Sequence, residues 1–383
     1  MMNQQFSTEE KYGFVLALLR NKKSKADLSR ERNISLSDID EWISLFLEGG
    51  KRALSLGMAD ASHLTQVREP NPWQTTDVVK DRSKEFDYDT LVREELSDFT
   101  KVERTSDLKL GGIHDFDAWK YYWEHVTRKV IEQLGESLWK YLAYQANKLH
   151  SPRILSLGCG FGGIEIEIAR DLSTNYEILG LDLNEDIMRD AEKLAQQSGL
   201  NIKFEQCDLN YISLPKKSFD FIFAHASLHH IINLEHLFQQ VHDALTPDGE
   251  FFVLDIIGKN RVLLWEENLQ ALNKLLERIP LHLRVDGSGK VVSKIAIGLH
   301  SGMEGIRQEE IPKMLFQYFH PKFYHYHNAF MRFIATHEVI GKHLSSGSQE
   351  CRDILDDLIA EDERSVSQGV LKPTEIIGIF GRK

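Results

Sequence analysis

The stretch from Arg153 to Glu165, RILSLGCGFGGIE, limits what this chain can fold into more than any other. Ile154 to Leu157 is an apolar run with the character of a buried strand. Gly158, Gly160, Gly162 and Gly163 then crowd a turn, and Ile164 to Arg170 resumes with helical character. A strand, a glycine turn and a helix make a nucleotide-binding corner. Glycine is needed there because the turn is tight and a ligand must approach bare backbone. The helix behind the turn offers free N–H groups at its start.

The glycines alone do not choose the ligand. Gly158, Gly160 and Gly163 also fit the dinucleotide pattern G-x-G-x-x-G, so a nicotinamide-dependent oxidoreductase is one reading. The segments that follow are more selective. Tyr176 to Asp182 reads as a second strand ending in a carboxylate, 20 residues past Gly162, the spacing of an acid that takes a ribose diol. Ile202 to Leu209 is a third strand with an acid, Asp208, at its end. Ser218 to His230 is a fourth strand entering a polar loop that carries His225, His229 and His230.

In that order the motifs resemble class I S-adenosylmethionine-dependent methyltransferases. The resemblance covers residues 150–258 and rejoins at the C-terminal strand. It implies S-adenosyl-L-methionine as cofactor, bound by Gly158, Gly160, Gly162, Asp182 with Leu183, Asp208 with Leu209, and His225. Asp182 is expected to take the ribose hydroxyls and Asp208, with the backbone of Leu209, to lie beside the adenine. The family often carries an acid two residues before its first glycine, where it helps hold the cofactor's amino-acid end; here that position is Ser156. Glu165, in the first helical turn, either compensates or is a solvated acid favoured by the helix dipole.

Strands alternating with helices imply an α/β, Rossmann-like, doubly wound sheet covered on both faces, with ligands at the carboxyl ends of its strands. Asn184 to Gln197 and Leu234 to Leu245 read as helices, and Glu250 to Ile257 as the fifth strand. Residues 259–345 are too long for a simple crossover and are expected to cap the substrate pocket, with a helix over Leu263 to Leu283. Arg261, Glu304 and Arg307 are the cap's substrate-binding candidates: an arginine there holds a substrate carboxylate or phosphate, or pairs with Glu304. Phe323 to His327 and Thr374 to Phe380 read as further strands, with a helix from Gln349 to Val366 between them. Upstream, Phe116 to His150 forms a long helical region rich in aromatics.

The N-terminal residues 1–52 read as three helices: one after a Ser7–Glu10 capping box, one over Ser24 to Arg32, and one over Ser35 to Leu47. This layout resembles a transposase-like helix-turn-helix. The third helix opens with Asp38, Asp40 and Glu41, where phosphate contacts are needed, and the segment holds nine Lys/Arg against eight Asp/Glu. Packing, dimerisation or covering the site is the plainer role. Residues 53–110 are a linker and charged helical segment, and 111–383 the methyltransferase domain.

The net charge of −12 argues against wholesale binding to nucleic acid or an anionic membrane. No apolar run is long enough for a bilayer, and no secretory signal pattern opens the chain. Cys159, Cys207 and Cys351 are too scattered for a zinc pattern or a disulfide framework, so a reduced, cytoplasmic protein is expected. No metal site is expected either, since no Cys or Asp cluster accompanies the histidines. Homo-oligomerisation is compatible with all of this.

Methyl transfer from a sulfonium is an in-line displacement that needs orientation and exclusion of water more than covalent help. A base is needed only if the acceptor atom carries a proton, and His229 and His230 are the candidates. The function expected is therefore methylation of a small molecule at O, N or C. The rivals are a nucleic-acid methyltransferase or regulator using the N-terminal helices, a NAD-dependent oxidoreductase, and a binding module without catalysis.

Overall fold

A computed structural model describes residues 24–32, 34–43, 71–99, 115–298, 300 and 302–383, together with positions 11, 14, 15 and 18. The chain divides into two compact units, Met1–Pro72 and Trp73–Lys383.

In the first unit, helix α1 spans Lys25–Arg32 and a second helical stretch covers 36–43. The Ser24 and Ser35 hydroxyls accept N–H bonds from Asp27 and Asp38, as N-caps do. Leu28, Ile34 and Ile39 are buried together, with Phe14, Leu18, Trp42 and Ile43 against them. Asp40 pairs with Lys25, and Asp38 and Glu41 are exposed. The expected capping box at Ser7 and the end of the third helix lie outside the described residues.

The second unit is built on one seven-stranded sheet in the order β3-β2-β1-β4-β5-β7-β6. Its strands are β1 Arg153–Leu157, β2 Glu177–Asp182, β3 Ile202–Gln206, β4 Phe219–His225, β5 Leu245–Ile256, β6 Phe319–His327 and β7 Glu375–Arg382. The first five are parallel; β7 runs antiparallel between β5 and β6. Period-two alternation divides the apolar residues between the sheet's faces. Ile154, Phe221, Phe223, Phe252, Ile377 and Ile379 join one core. Leu155, Leu157, Ile222, Phe251, Val253, Ile376 and Phe380 join the other.

The helices of this unit are α2 Tyr88–Phe99, α3 Asp117–Leu134, α4 Leu138–Ala146, α5 Gly163–Asp171, α6 Glu185–Gln197, α7 Leu234–Ala244, α8 Glu266–Leu275, α9 Ile311–Tyr318, α10 Met331–Ala335, α11 Ile340–Leu344 and α12 Gln349–Ser367. The first core takes α3, α4, α5 and α12, and the second takes α7 and α9.

Of the boundaries that differ from the sequence reading, β5 starts five residues before the expected Glu250, and three others have local reasons. The region from Phe116 breaks into α3 and α4 because Gly135 adopts φ 83° and ends the first helix. The helix expected over Leu263 to Leu283 shortens to α8, where Trp265 precedes an acidic first turn, and Pro280 separates two 3₁₀ turns. Strand β6 starts four residues earlier than expected, because Phe319 and His320 pair with Arg382 and Gly381.

The glycine turn is strained in a way only glycine tolerates. Gly158, Gly160 and Gly162 have φ of 73°, 51° and 74°. A Cβ on Gly162 would lie 2.5 Å from Ala191 Cβ and 2.9 Å from Phe204 Cζ, whereas one on Gly160 would meet nothing within 4 Å. Gly162→Ala therefore carries both the left-handed penalty and overpacking, and is expected to cost about 2–4 kcal/mol by denaturant titration. Gly199→Ala shares the positive φ without the clash; a similar loss in both variants would show that packing against α6 is not the constraint.

Candidate active site

The site is built where β1 and β4 part. Strand β2 continues to β3 on one side and β4 to β5 on the other, so the strand ends flanking this switch point are where an open α/β sheet forms its ligand crevice. Asp182 ends β2. Its Oδ2 accepts the Gly160 N–H at 2.8 Å and its Oδ1 the Asn184 N–H at 2.9 Å. Burial raises its pKa, and those two N–H groups oppose the rise. Leu183 follows, its carbonyl accepting the Gln206 amide. Asp208 caps the 3₁₀ turn Leu209–Tyr211, its Oδ1 taking the Asn210 N–H at 2.9 Å. Asn210 Oδ1 in turn accepts the N–H groups of Ile232 and Asn233, tying the end of β3 to the loop after β4.

Residues 73–99 run along this crevice. Thr75 N–H donates to Tyr211 O, Ser213 N–H to Trp73 O, and Gln74 Nε2 to Asp208 O. Arg82 N–H reaches Asn233 Oδ1 at 2.8 Å. The segment read as linker thus packs on the domain, and helix α2 enters the site. Its Tyr88 hydroxyl donates to Asp208 Oδ2 at 2.6 Å, with burial and then the Asp208 charge pushing the phenol pKa far up. Neither Tyr88 nor Glu95 carries any motif; only the fold reveals them.

The loop after β4 is held by a residue read only as part of strand five. Asp255 is 1% exposed. Its Oδ2 accepts the N–H groups of Ser227 and Leu228 at 3.0 and 2.8 Å, and its Oδ1 that of Ile256. His229 Nδ1 lies 2.6 Å from the same Oδ1. One available signal was an acid inside the apolar run Phe251 to Ile257. Ala226, at φ 51°, makes the bend that starts this loop.

Glu304 joins the two histidines. Its carboxylate lies 3.4 Å from His229 Nε2 and 3.3 Å from His230 Nε2, and Glu95 reaches His230 Nδ1 at 2.7 Å. Burial pulls the His229 pKa down, but Asp255 and Glu304 outweigh it and raise the value to about 10. Burial opposes ionisation of Glu304, yet His229 and His230 hold its carboxyl far below the ordinary range. Of Arg261, Glu304 and Arg307, Glu304 is the one that pairs with the two histidines. His229, His230 and Glu304 offer metal-ligand atoms within 4.8 Å of one another, so folding supplies the completing ligand that the local sequence lacks.

Arg307 corrects the sequence reading. It is 3% exposed and pairs with Glu235 at 2.8 Å and Glu310 at 2.7 Å, not with Glu304. Burial acts against the charge, and Glu310 and Glu235 restore it. This arginine clamps the loop before α9 onto α7, and its paired, buried guanidinium presents no free face to a substrate. Arg261, at φ 67°, likewise spends Nη1 on Gly302 O at 2.5 Å and its N–H on Gly305 O. His225 ends β4 against the Trp139 ring at 5.6 Å; burial lowers its pKa to about 4, so it is neutral. Cys159 is buried with its thiol pKa pushed up, which suits packing and not nucleophilic attack.

Residues 150–315 match a family model described as a methyltransferase domain. The chain carries a class I S-adenosylmethionine-dependent methyltransferase domain. Sterol 24-C-methyltransferase erg-4 of Neurospora crassa is 29% identical over 45% of this chain and 48% of its own length. Sterol 24-C-methyltransferase ERG6A of Gibberella zeae is 32% identical over 51% and 52%. The chain thus spans about half the length of these curated relatives. Among solved structures, the YcgJ protein of Bacillus subtilis is 18% identical, covering 64% of this chain and 98% of its own, with a TM-score of 0.35. Among the described residues no helix is long and apolar enough to cross a membrane.

S-adenosyl-L-methionine is the cofactor of this domain, and the residues present fit it. The face of Gly160 is open, Asp182 and Asp208 stand at neighbouring strand ends, and a carboxylate oxygen of Glu165 is buried without a partner. When bound, the cofactor supplies an activated methyl group.

Two outcomes test this electrostatic reading. His229 titrates higher in the folded domain, at about 10 against an ordinary 6.5, so its stabilising share is complete below pH 6.5 and lost as pH rises toward 10. The Tm gap between wild type and His229→Asn should shrink over that range; a constant gap would mean a neutral imidazole. Arg307→Ala strips a buried ion cluster and is expected to cost about 3–5 kcal/mol by denaturant titration; a loss below about 1 kcal/mol would return Arg307 to the surface.

Proposed function

We propose that this protein transfers the methyl group of S-adenosylmethionine to a small-molecule acceptor, at O, N or C, in a pocket between the loop after β4 and the cap over residues 259–345. The observation that carries the reading is the row of side chains at consecutive strand ends. Asp208 follows β3, Asp182 ends β2, the glycine turn follows β1 and the histidine loop follows β4. Adenine- and ribose-side acids then lie on one flank and the reacting groups on the other.

The two histidines divide the work. His229 already holds its proton near neutrality and is fixed by Asp255, so it acts as a placed positive charge that keeps Glu304 ionised and aimed. His230 is the more exposed ring, 15% against 4%, and sits between the carboxylates of Glu95 and Glu304. It is the group to accept a proton from the acceptor atom, at Nε2 beside Glu304. The carboxylates then stabilise the imidazolium that forms. Helix α2 and the loop at 302–305 shield this corner, with Gly302 and Met303 N–H groups donating to Glu94 and Glu95. The relatives' names specify a sterol carbon; for this chain a lipid-like alkene is one acceptor class to screen beside polar alcohols and amines.

Titration calorimetry should show S-adenosylhomocysteine binding, no NAD binding, and loss of binding in Asp182→Ala. Label from methyl-labelled cofactor should enter the small-molecule fraction of a cell extract, not its nucleic acid or protein. His230→Asn should cut that rate by about 10²–10⁴ and leave S-adenosylhomocysteine affinity in place. NAD binding in place of the thioether would overturn the reading, and label in nucleic acid would overturn the acceptor class.

A further inference from the structure

Glu165 is a buried carboxyl with half its hydrogen bonding missing. It sits in the first turn of α5, three residues past Gly162, and is 1% exposed. The Ser156 hydroxyl donates to its Oε1. Its Oε2 is buried with no hydrogen-bond partner. Buried acceptors are rarely left so, because an unanswered carboxylate oxygen costs desolvation without return. The solvated-helix-acid reading of this residue is therefore set aside. Its ordinary alternative, a core substitution, would place an aliphatic side chain here, as at the neighbouring Ile164 and Ile166.

The order of strands says which group of the cofactor can reach it. Asp208 and Asp182 stand at the ends of β3 and β2, the adenine and ribose positions of the proposed site. Strand β1 is next in the sheet, and neighbouring strands lie about 4.8 Å apart. Ser156 is on β1 and Glu165 is on the helix that leaves its glycine turn. A molecule laid along these ends, adenine first, brings its amino-acid end to β1. That end carries a cation, the α-ammonium group, with three N–H donors.

We propose that Glu165 Oε2 receives the α-ammonium of the cofactor's methionine moiety, while Ser156 holds the other oxygen and fixes the rotamer. This rests on the methyltransferase reading above. The strand contributes a hydroxyl and the helix contributes the charge, so the pair does from two elements what a single acid on β1 would do. Burial is the main cause that raises the free carboxyl to about 7, with the Asp182 charge at the end of β2 adding to the rise, against the pull of Ser156 and a backbone N–H. Binding of the ammonium selects the ionised form, so the proton of a neutral Glu165 leaves to solvent as the ligand enters. Affinity for the amino-acid-bearing ligand then rises with pH through neutrality.

Two ligands separate the amino-acid end from the rest. S-adenosylhomocysteine carries it; 5′-methylthioadenosine has the same adenosyl thioether and lacks it. By calorimetry on the full chain, Glu165→Gln should weaken S-adenosylhomocysteine by about 10- to 100-fold and change 5′-methylthioadenosine by less than about twofold. The double variant Ser156→Asp/Glu165→Gln, which returns an acid to the strand, should recover part of the loss. In wild type, raising the pH from 6 to 8 should strengthen the first ligand by up to about tenfold and leave the second unchanged. Unchanged S-adenosylhomocysteine affinity in Glu165→Gln overturns the assignment. Equal loss of both ligands also overturns it, since Glu165 would then only shape the turn. If Glu165→Gln does not fold, the wild-type pH series decides, and a flat response for both ligands overturns the proposal. Wild type that binds neither ligand removes the methyltransferase reading itself, a distinguishable failure.

Discussion

A carboxylate buried in an apolar strand needs a full set of donors, and Asp255 obtains one by shaping everything around it. Ser227, Leu228 and Ile256 give it backbone N–H groups, and His229 gives it a ring nitrogen. Meeting those demands fixes the bend at Ala226, the path of the loop after β4 and the orientation of the His229 ring. Ser227, placed this way, donates to Leu157 O and lies where a Cβ on Gly158 would stand, only 2.4 Å from its own Cβ. The glycine turn after β1 and the histidine loop after β4 are thus shaped against each other. Losing the acid would leave three N–H groups and a charged imidazole unanswered, so its replacement by an apolar residue would dismantle the reacting flank before it affected the sheet.

The other flank is closed from outside the core fold. Residues 73–99 lie far from the strand ends in sequence, yet they supply Tyr88 to Asp208, Gln74 to the Asp208 carbonyl and Glu95 to His230. A charged, weakly patterned segment does this because its ordering is supported piecemeal. Arg82 and Val79 donate backbone N–H groups to Asn233 and His236, and Lys80 pairs with Glu235. Each bond is modest alone. Together they place α2 over the strand ends, and in the proposed reaction its part is to exclude water.

What the sequence made legible follows from the range of the forces involved. The glycine turn, Asp182 and Asp208 are local requirements: a bend, a strand end, a cap. Their spacing along the chain is their spacing in the fold. Asp255, Glu95 and Tyr88 owe their roles to contacts 26, 135 and 120 residues away, and nothing local marks them apart from an acid inside an apolar run. Arg307 shows the opposite error. Its three-residue spacing from Glu304 suggested a pair, but Glu310 is equally near along the helical turn and Glu235 lies on α7, so the fold pairs it elsewhere. Glu304, released from that arginine, is left to the histidines.

The charges gathered at the crevice also bear on what can enter it. Asp182, Asp208, Glu95, Glu304 and Glu165 gather there, against the charged His229, while Arg307 is matched by Glu235 and Glu310 and Arg261 donates to the Gly302 carbonyl. A cofactor bearing a sulfonium, an ammonium and one carboxylate has a net positive charge and is drawn to such a field. A polyphosphate strand is repelled, because its affinity depends on cations that follow its backbone. The net charge of −12 makes the same argument for the whole chain, but composition only averages, whereas the fold sets these acids at neighbouring strand ends. That placement is the physical ground on which the proposed small-molecule acceptor is preferred to nucleic acid.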